Sequence, residues 1–195
     1  MAPEGGKLPT HFKCICCGAC CSQKDMIVTL TGRDISYLAH ALGLDAKQML
    51  RVVDFYIQTK AMILPQGLQN IPRIETERGL AIIALKKNPT GECIFLENDL
   101  CMVHPARPGV CKSFPFTFRE ENDEISYGLS AKQSICPGIG QGDEILVNEL
   151  LILAQEILED LSIFSEFVSY WNDSEHEHEA SMFLEAVLAD IRFIV

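Results

Sequence analysis

The run Phe12-Lys13-Cys14-Ile15-Cys16-Cys17-Gly18-Ala19-Cys20-Cys21 gathers five of the chain's nine cysteines into eight residues. Cys14, Cys17 and Cys20 stand at C-x-x-C-x-x-C spacing, and Cys21 follows directly. Thiolate sulfur is a preferred ligand for zinc and for iron–sulfur clusters. Two-residue spacing lets a tight turn present several sulfurs to one centre, and Gly18 gives the backbone freedom to curl. The other four cysteines, Cys93, Cys101, Cys111 and Cys136, are spread over the middle of the chain. The run is therefore read as part of a metal or cluster site that distant cysteines complete.

The rest of the composition agrees with a folded, non-nucleic-acid protein. A chain of 195 residues suggests one domain. At 48% hydrophobic residues and a mean hydropathy of +0.13, it can bury a full core. A formal net charge of −11 argues against nucleic acid and against an anionic membrane surface, both of which need a basic face. Residues 1–10 are polar and turn-rich without an apolar leader segment, and no stretch reads as a membrane span. A cytoplasmic, reducing setting is expected, in which clustered cysteines are ligands or catalysts rather than disulfides. An odd cysteine count and the strain of a vicinal Cys20–Cys21 bridge weigh against disulfides too.

Read in order, residues 1–11 form a flexible arm. Met26–Leu30 reads as a strand. Thr31-Gly-Arg-Asp34 resembles a capping box that opens a helix to about His40, with Ile35, Leu38, Ala39 and Leu42 inward and Gly43 closing it. Asp45 starts a second helix with Met49, Val52, Val53 and Tyr56 inward. Residues 61–78 lack a clean period and are expected to be irregular or edge structure. Leu80–Leu85 and Glu92–Leu96 read as a hairpin that delivers Cys93, and Phe116–Glu120 with Glu124–Tyr127 as another. Three prolines in 104–116 make a rigid loop around Cys111. From Asp143 a long apolar-periodic helix runs to about Trp171, and a last one covers 175–193.

Setting Cys16 aside as a spare thiol, the remaining eight cysteines make two sets of four, enough for two tetrahedral sites or one larger cluster. The dense run leans toward iron–sulfur, as in bacterial-type ferredoxins, but the Cys-Pro that ends the ferredoxin run stands far away at Cys136-Pro137. If the backbone is extended, adjacent Cys20 and Cys21 point to opposite sides and serve two centres. Lys13, Arg107 and Lys112 neighbour ligands and offset thiolate charge. His104 reads as a packed or exposed histidine, with a ligand or acid–base role as the alternative. Asp34 is a first-turn helix residue, Gly138-Ile-Gly-Gln-Gly142 a plain turn, and Glu175-His-Glu-His-Glu179 a solvated helix start.

These residues resemble a known family. Cys14-x-x-Cys17-Gly-x-Cys20-Cys21, Leu30-Thr31-x-x-Asp34-Ile35, Gly91-x-Cys93-Ile-Phe-Leu96, Cys101 with Arg107-Pro108-x-x-Cys111, Phe114-Pro115-Phe116 and Cys136-Pro137-Gly138 are similar to the CxxCxxCC, or YkgJ-type, cysteine-cluster family over about residues 12–140. The cysteine core also resembles that of flagellin lysine N-methylases. The resemblance implies zinc or iron chelation, and some members are called Fe–S oxidoreductases. Two positions depart from the family pattern: Lys112 stands where arginine is usual, and His104 where tyrosine is frequent. Cys16 falls outside the pattern.

The expectation is an α+β protein. Residues 12–142 form a small irregular cysteine-ligated domain of short strands and hairpins, and residues 143–195 a helical extension packed on it. Cys14, Cys17, Cys20, Cys21, Cys93, Cys101, Cys111 and Cys136 are the candidate metal ligands, for an iron–sulfur cluster of the [4Fe–4S] kind or for zinc or iron ions. A metal-binding protein that holds an iron–sulfur cluster or zinc or iron through these eight cysteines is the leading function, with a redox role as one form of it. A methyltransferase-like enzyme acting on a protein, and a structural zinc module that docks a protein partner through the C-terminal helices, are the alternatives. Pairing, oligomeric state and substrate stay open.

Overall fold

The computed structural model describes residues 10–57, 70–122, 124–175 and 177–194. It is a mixed α and β fold of small antiparallel pairs and helices. Its centre is β3 (Ala81–Leu85), buried along its whole length. One edge of β3 pairs in register with β2 (Val53–Ile57), from Val53 opposite Leu85 to Ile57 opposite Ala81. Its other edge meets Thr29 and Ile74 through single bridges. A strand covered on both edges and both faces has no polar side to show, hence its unbroken Ala-Ile-Ile-Ala-Leu.

Helix α1 (Gly32–Leu42) starts with the expected capping box. Thr31 Oγ1 accepts from Asp34 N–H, and Asp34 Oδ2 accepts from Thr31 N–H at 2.9 Å. Gly43 ends it in the left-handed conformation, and Ile35, Leu38 and Ala39 face the core, whereas Leu42 is exposed. The predicted strand at 26–30 contracts to the bridge at Thr29. The predicted helix from Asp45 is also shorter. Asp45 and Gln48 form a second capping box, but α2 spans only Ala46–Met49. The residues after it join β2, because Val52-Val53-x-Phe55-Tyr56-Ile57 is rich in β-branched and aromatic side chains and β3 offers a partner.

The expected Leu80–Leu85 and Glu92–Leu96 hairpin does not form, because β3 takes β2 as its partner; a single bridge from Lys87 to Cys93 remains of it, and β4 (Leu96–Glu97) and β5 (Leu100–Cys101) make a minimal hairpin after it. The proline-rich segment is one 3₁₀ turn at 104–106 followed by the short α3 (Gly109–Ser113). Strands β6 (Phe116–Glu121) and β7 (Glu124–Leu129) form the second predicted hairpin. The glycine-rich stretch after Cys136 is not a plain turn. It forms β8 (Ile139–Glu144), paired with β1 (His11–Phe12). This pairing holds the start of the next helix back from Asp143, so α4 spans Val147–Asn172. It runs unbroken through Ser162. The last predicted helix shortens to α5 (Ala180–Ala189) and a 3₁₀ turn at 191–193. Residues 61–69 and His176 lie outside the described residues.

One apolar cluster joins the two halves of the chain. Phe164, Phe167 and Trp171 of α4, Phe183 of α5 and Phe193 meet Phe55 and the α1 face. Phe167 packs edge-on against Phe193 at 5.3 Å, and Trp171 against Phe183 at 5.3 Å. Trp171 Nε1–H also donates to the Glu75 carbonyl at 3.1 Å. Among the described residues no helix is long and apolar enough to cross a membrane. At the start of α1 the Phe193 ring lies so close that a Cβ on Gly32 would stand 2.5 Å from it. Gly32→Ala is therefore expected to destabilise the fold by about 1–3 kcal/mol through overpacking. Urea unfolding checks this, and an unchanged midpoint would show that the ring moves aside freely.

Candidate metal centre

The cysteine run is a loop between β1 and the Thr29 bridge, shaped by two left-handed residues. Cys16 has φ of 52° and Gly18 of 66°. Gly18 is required for contact as well as for curvature, since a Cβ there would lie 2.6 Å from the Asp99 carbonyl oxygen. The loop is thus pressed against the β4–β5 turn. Cys21 N–H donates to the Gly18 carbonyl at 2.8 Å, and Cys93 N–H donates to the Cys21 carbonyl at 2.9 Å. The second bond brings Cys93 to the run, and the β4–β5 hairpin brings Cys101.

Cys20 Sγ and Cys21 Sγ lie 3.9 Å apart. The pair does not diverge as an extended backbone would require, because residues 18–22 are turns. The Cys21 thiol also interacts with Cys101 and Cys93, so three sulfurs stand around it and make a quartet with it. These contacts set the thiol acidities. Contact with Cys101, Cys20 and Cys93 raises the Cys21 pKa, which makes Cys21 the thiol that keeps its hydrogen. The same contact is the largest cause lowering the pKa of Cys20, of Cys93 and of Cys101. One S–H proton serves one neighbour at a time, so the quartet shares a proton and cannot become fully ionised without a cation.

The remaining sulfurs surround this quartet. Burial raises the pKa of Cys111, and negative charge on Cys20 and Cys93 adds to it. Cys111 sits on α3, whose start is tied to α1: Gly109 N–H donates to Asp34 Oδ1 at 2.9 Å. Asp34 is therefore more than a capping residue, since its two oxygens join helix α1 to the Cys111 segment. Burial raises its carboxyl pKa against the lowering effect of those hydrogen bonds. Cys136 follows a turn in which its N–H donates to the Lys132 carbonyl at 2.9 Å. Burial raises the pKa of its thiol, and charge on Cys20, Cys14 and Cys17 adds to the effect. Cys14 and Cys17 are exposed.

Cys16 reads from the sequence as a spare thiol, and His104 as a packed or exposed histidine with a ligand or acid–base role as the alternative. The fold sets them together, with Cys16 Sγ 3.5 Å from His104 Nε2. The negative charge of Cys14 is the largest cause raising the Cys16 pKa. Arg107 Nη1 lies 4.0 Å from Cys14 Sγ and its charge lowers the Cys101 pKa, as a screening cation should. Lys112 instead lies 5.6 Å over the Tyr37 ring. The cation that sequence reading missed is Lys87. Its Nζ donates to the Gln23 and Gly91 carbonyls, and its charge lowers the Cys93 pKa. No sequence signal marks it, because the Lys87–Cys93 bridge that sets it beside the thiol exists only in the fold. His178 packs on Trp171, with Nε2 3.0 Å from the Trp171 carbonyl, away from the cysteines.

A gathered set of thiols flanked by Arg107 and Lys87 has the donor chemistry that soft or borderline cations take. The chain belongs to the CxxCxxCC family, described as "Putative zinc- or iron-chelating domain", whose model matches residues 13–137. No curated protein and no solved structure matches it. The match ends before α4, so the long helix and α5 lie outside it.

The shared proton has a measurable consequence. Lowered pKa values mean that Cys20, Cys93 and Cys101 begin to ionise below the ordinary thiol value of 9.0 as pH rises, while Cys21 holds its proton above it. In metal-free, reduced protein, thiolate ultraviolet absorbance is expected to rise in separated early and late phases. Cys21→Ala removes the donor and should push the early phase up toward the ordinary value. A single phase in both proteins would contradict the shared-proton arrangement.

Proposed function

We propose that the protein chelates zinc or iron through Cys14, Cys17, Cys20, Cys21, Cys93, Cys101, Cys111 and Cys136, with Cys20, Cys21, Cys93 and Cys101 drawn together on one ion. The observation that carries this is the Cys20–Cys21 separation of 3.9 Å. Four sulfurs about 2.3 Å from one tetrahedral ion stand about 3.8 Å from each other. In a multi-iron cluster the cysteines bind different irons and stand farther apart, so this one pair favours a single ion, toward which Cys93 and Cys101 would have to close, over a [4Fe–4S] cluster. The residues fit the group chemically: the ion would take up thiolate charge that the quartet cannot otherwise carry, with Arg107 and Lys87 offsetting the rest.

With iron the centre would exchange electrons, which is the redox reading. With zinc it would be structural.

Metal analysis and an absorption spectrum of protein purified anaerobically without chelators test this. Zinc gives a colourless, redox-silent protein, and iron a thiolate charge-transfer band that bleaches on reduction. Acid-labile sulfide would replace the single ion by a cluster, and the absence of any metal would sink chelation altogether. Cys21→Ser and Cys111→Ser are each expected to lower metal content and the thermal midpoint.

A further inference from the structure

Two donors outside the eight-cysteine set meet at the rim of the centre. Cys16 Sγ lies 3.5 Å from His104 Nε2, and these atoms and Cys14 Sγ all lie within 4.8 Å of one another. Both sulfurs are exposed and His104 is half-buried. We propose that Cys14, Cys16 and His104 form a second, solvent-facing cation site with an open coordination position, distinct from the quartet of Cys20, Cys21, Cys93 and Cys101. This deepens the chelation reading and rests on it in one respect, because it moves Cys14 from the common set to an outer centre of its own.

The spacing agrees with one ion. With zinc about 2.3 Å from sulfur and about 2.0–2.1 Å from imidazole nitrogen, a tetrahedral S···N edge is about 3.6 Å. The Cys16–His104 gap of 3.5 Å already has that length. The imidazole is in the ligating form. Arg107 Nη1 lies 3.1 Å from His104 Nε2, and a guanidinium can only donate, so Nε2 carries a lone pair and not a proton. The same guanidinium nitrogen is 4.0 Å from Cys14 Sγ. A positive group therefore already occupies the space between sulfur and imidazole, and a bound cation takes its place.

The donor set decides the chemistry. Two thiolates and a neutral imidazole suit zinc and other borderline cations. Binding releases the two thiol protons to solvent, and the thiolate charges balance a divalent ion. Three protein ligands leave a fourth position for water or a small anion, which the displaced Arg107 guanidinium favours electrostatically. The quartet, with four sulfur donors of its own, leaves no such position.

The test uses the full chain, reduced, stripped of metal and titrated anaerobically with Zn²⁺ against a chromophoric chelator. The wild type is expected to show a tightly held and a weakly held population. Cys16→Ser and His104→Ala should each remove the weak one, about one equivalent, and leave the tight one and the thermal midpoint in place. Zinc uptake identical to wild type in both variants overturns the proposal. Cys21→Ser separates the two readings, since it should lose the tight population and keep the weak one. A wild type with only the weak population, still abolished by Cys16→Ser, would end the quartet's role and uphold the outer site. Alkylation needs no variant: Zn²⁺ should protect Cys16 in the wild type, and equal labelling of Cys16 with and without Zn²⁺ overturns the site.

Discussion

The hydrogen bond from Cys93 N–H to the Cys21 carbonyl, 2.9 Å long, is the constraint on which the centre depends. It joins the amino-terminal cysteine loop to the middle of the chain at the residue where the sulfurs must meet. Everything on either side serves to make that bond available. On one side, Gly18 lets the loop fold against the Asp99 carbonyl without a clash. On the other, the Lys87–Cys93 bridge and the β4–β5 hairpin set Cys93 and Cys101 at fixed separations. A thiol is a poor hydrogen-bonding group, so sulfurs could not gather themselves. Backbone bonds do it for them.

The electrostatics of that gathering run against folding. Converging thiols raise one another's ionisation cost, and the shared Cys21 proton relieves only part of it. The partial relief comes from Arg107 and Lys87, and from carbonyls that hold Lys87 in place. A formal net charge of −11 means that the rest of the surface gives no general help. A site assembled at such a cost is poised for a cation, which converts mutual repulsion into attraction. The rim repeats the arrangement in smaller form: Cys14 opposes ionisation of Cys16, and Arg107 stands beside both Cys14 and His104.

What could be read from the sequence, and what could not, divides along a physical line. Local chemistry was legible. The Thr31–Asp34 capping box, the Gly43 terminus and the Phe116–Leu129 hairpin need only neighbours in sequence, and they stand as read. Elements that depend on a distant partner were misread. The stretch after Asp45 has helical spacing, yet β3 recruits it as a strand. Ile139–Glu144 reads as a turn and then a helix start, yet β1 makes it a strand. The cysteines were recognisable as a set, but their neighbourhoods were not. Adjacent Cys20 and Cys21 share a centre because the backbone turns there, and Cys16 meets His104 across most of the cysteine domain. Asp34 shows both sides at once, its cap legible and its second bond to Gly109 not.

That second bond explains how helices without ligands of their own bear on the site. Asp34 begins α1, whose buried face packs into the apolar cluster with α4, α5 and Phe193. Through Gly109 the same carboxylate fixes the start of α3, and Ile157 of α4 lies close enough that a Cβ on Gly109 would be 3.3 Å from it. Cys111 is therefore positioned from two directions by the helical half of the fold. Cys93 belongs to the same apolar cluster as the aromatic side chains, and Cys21 and Cys101 pack against it. Sulfurs set in a core cannot move apart to relieve their repulsion without disturbing that core, because close-packed interiors transmit strain. The aromatic cluster thus supplies the rigidity that keeps the thiols together before any ion arrives. This gives α4 and α5 a role in the centre although neither contributes a cysteine.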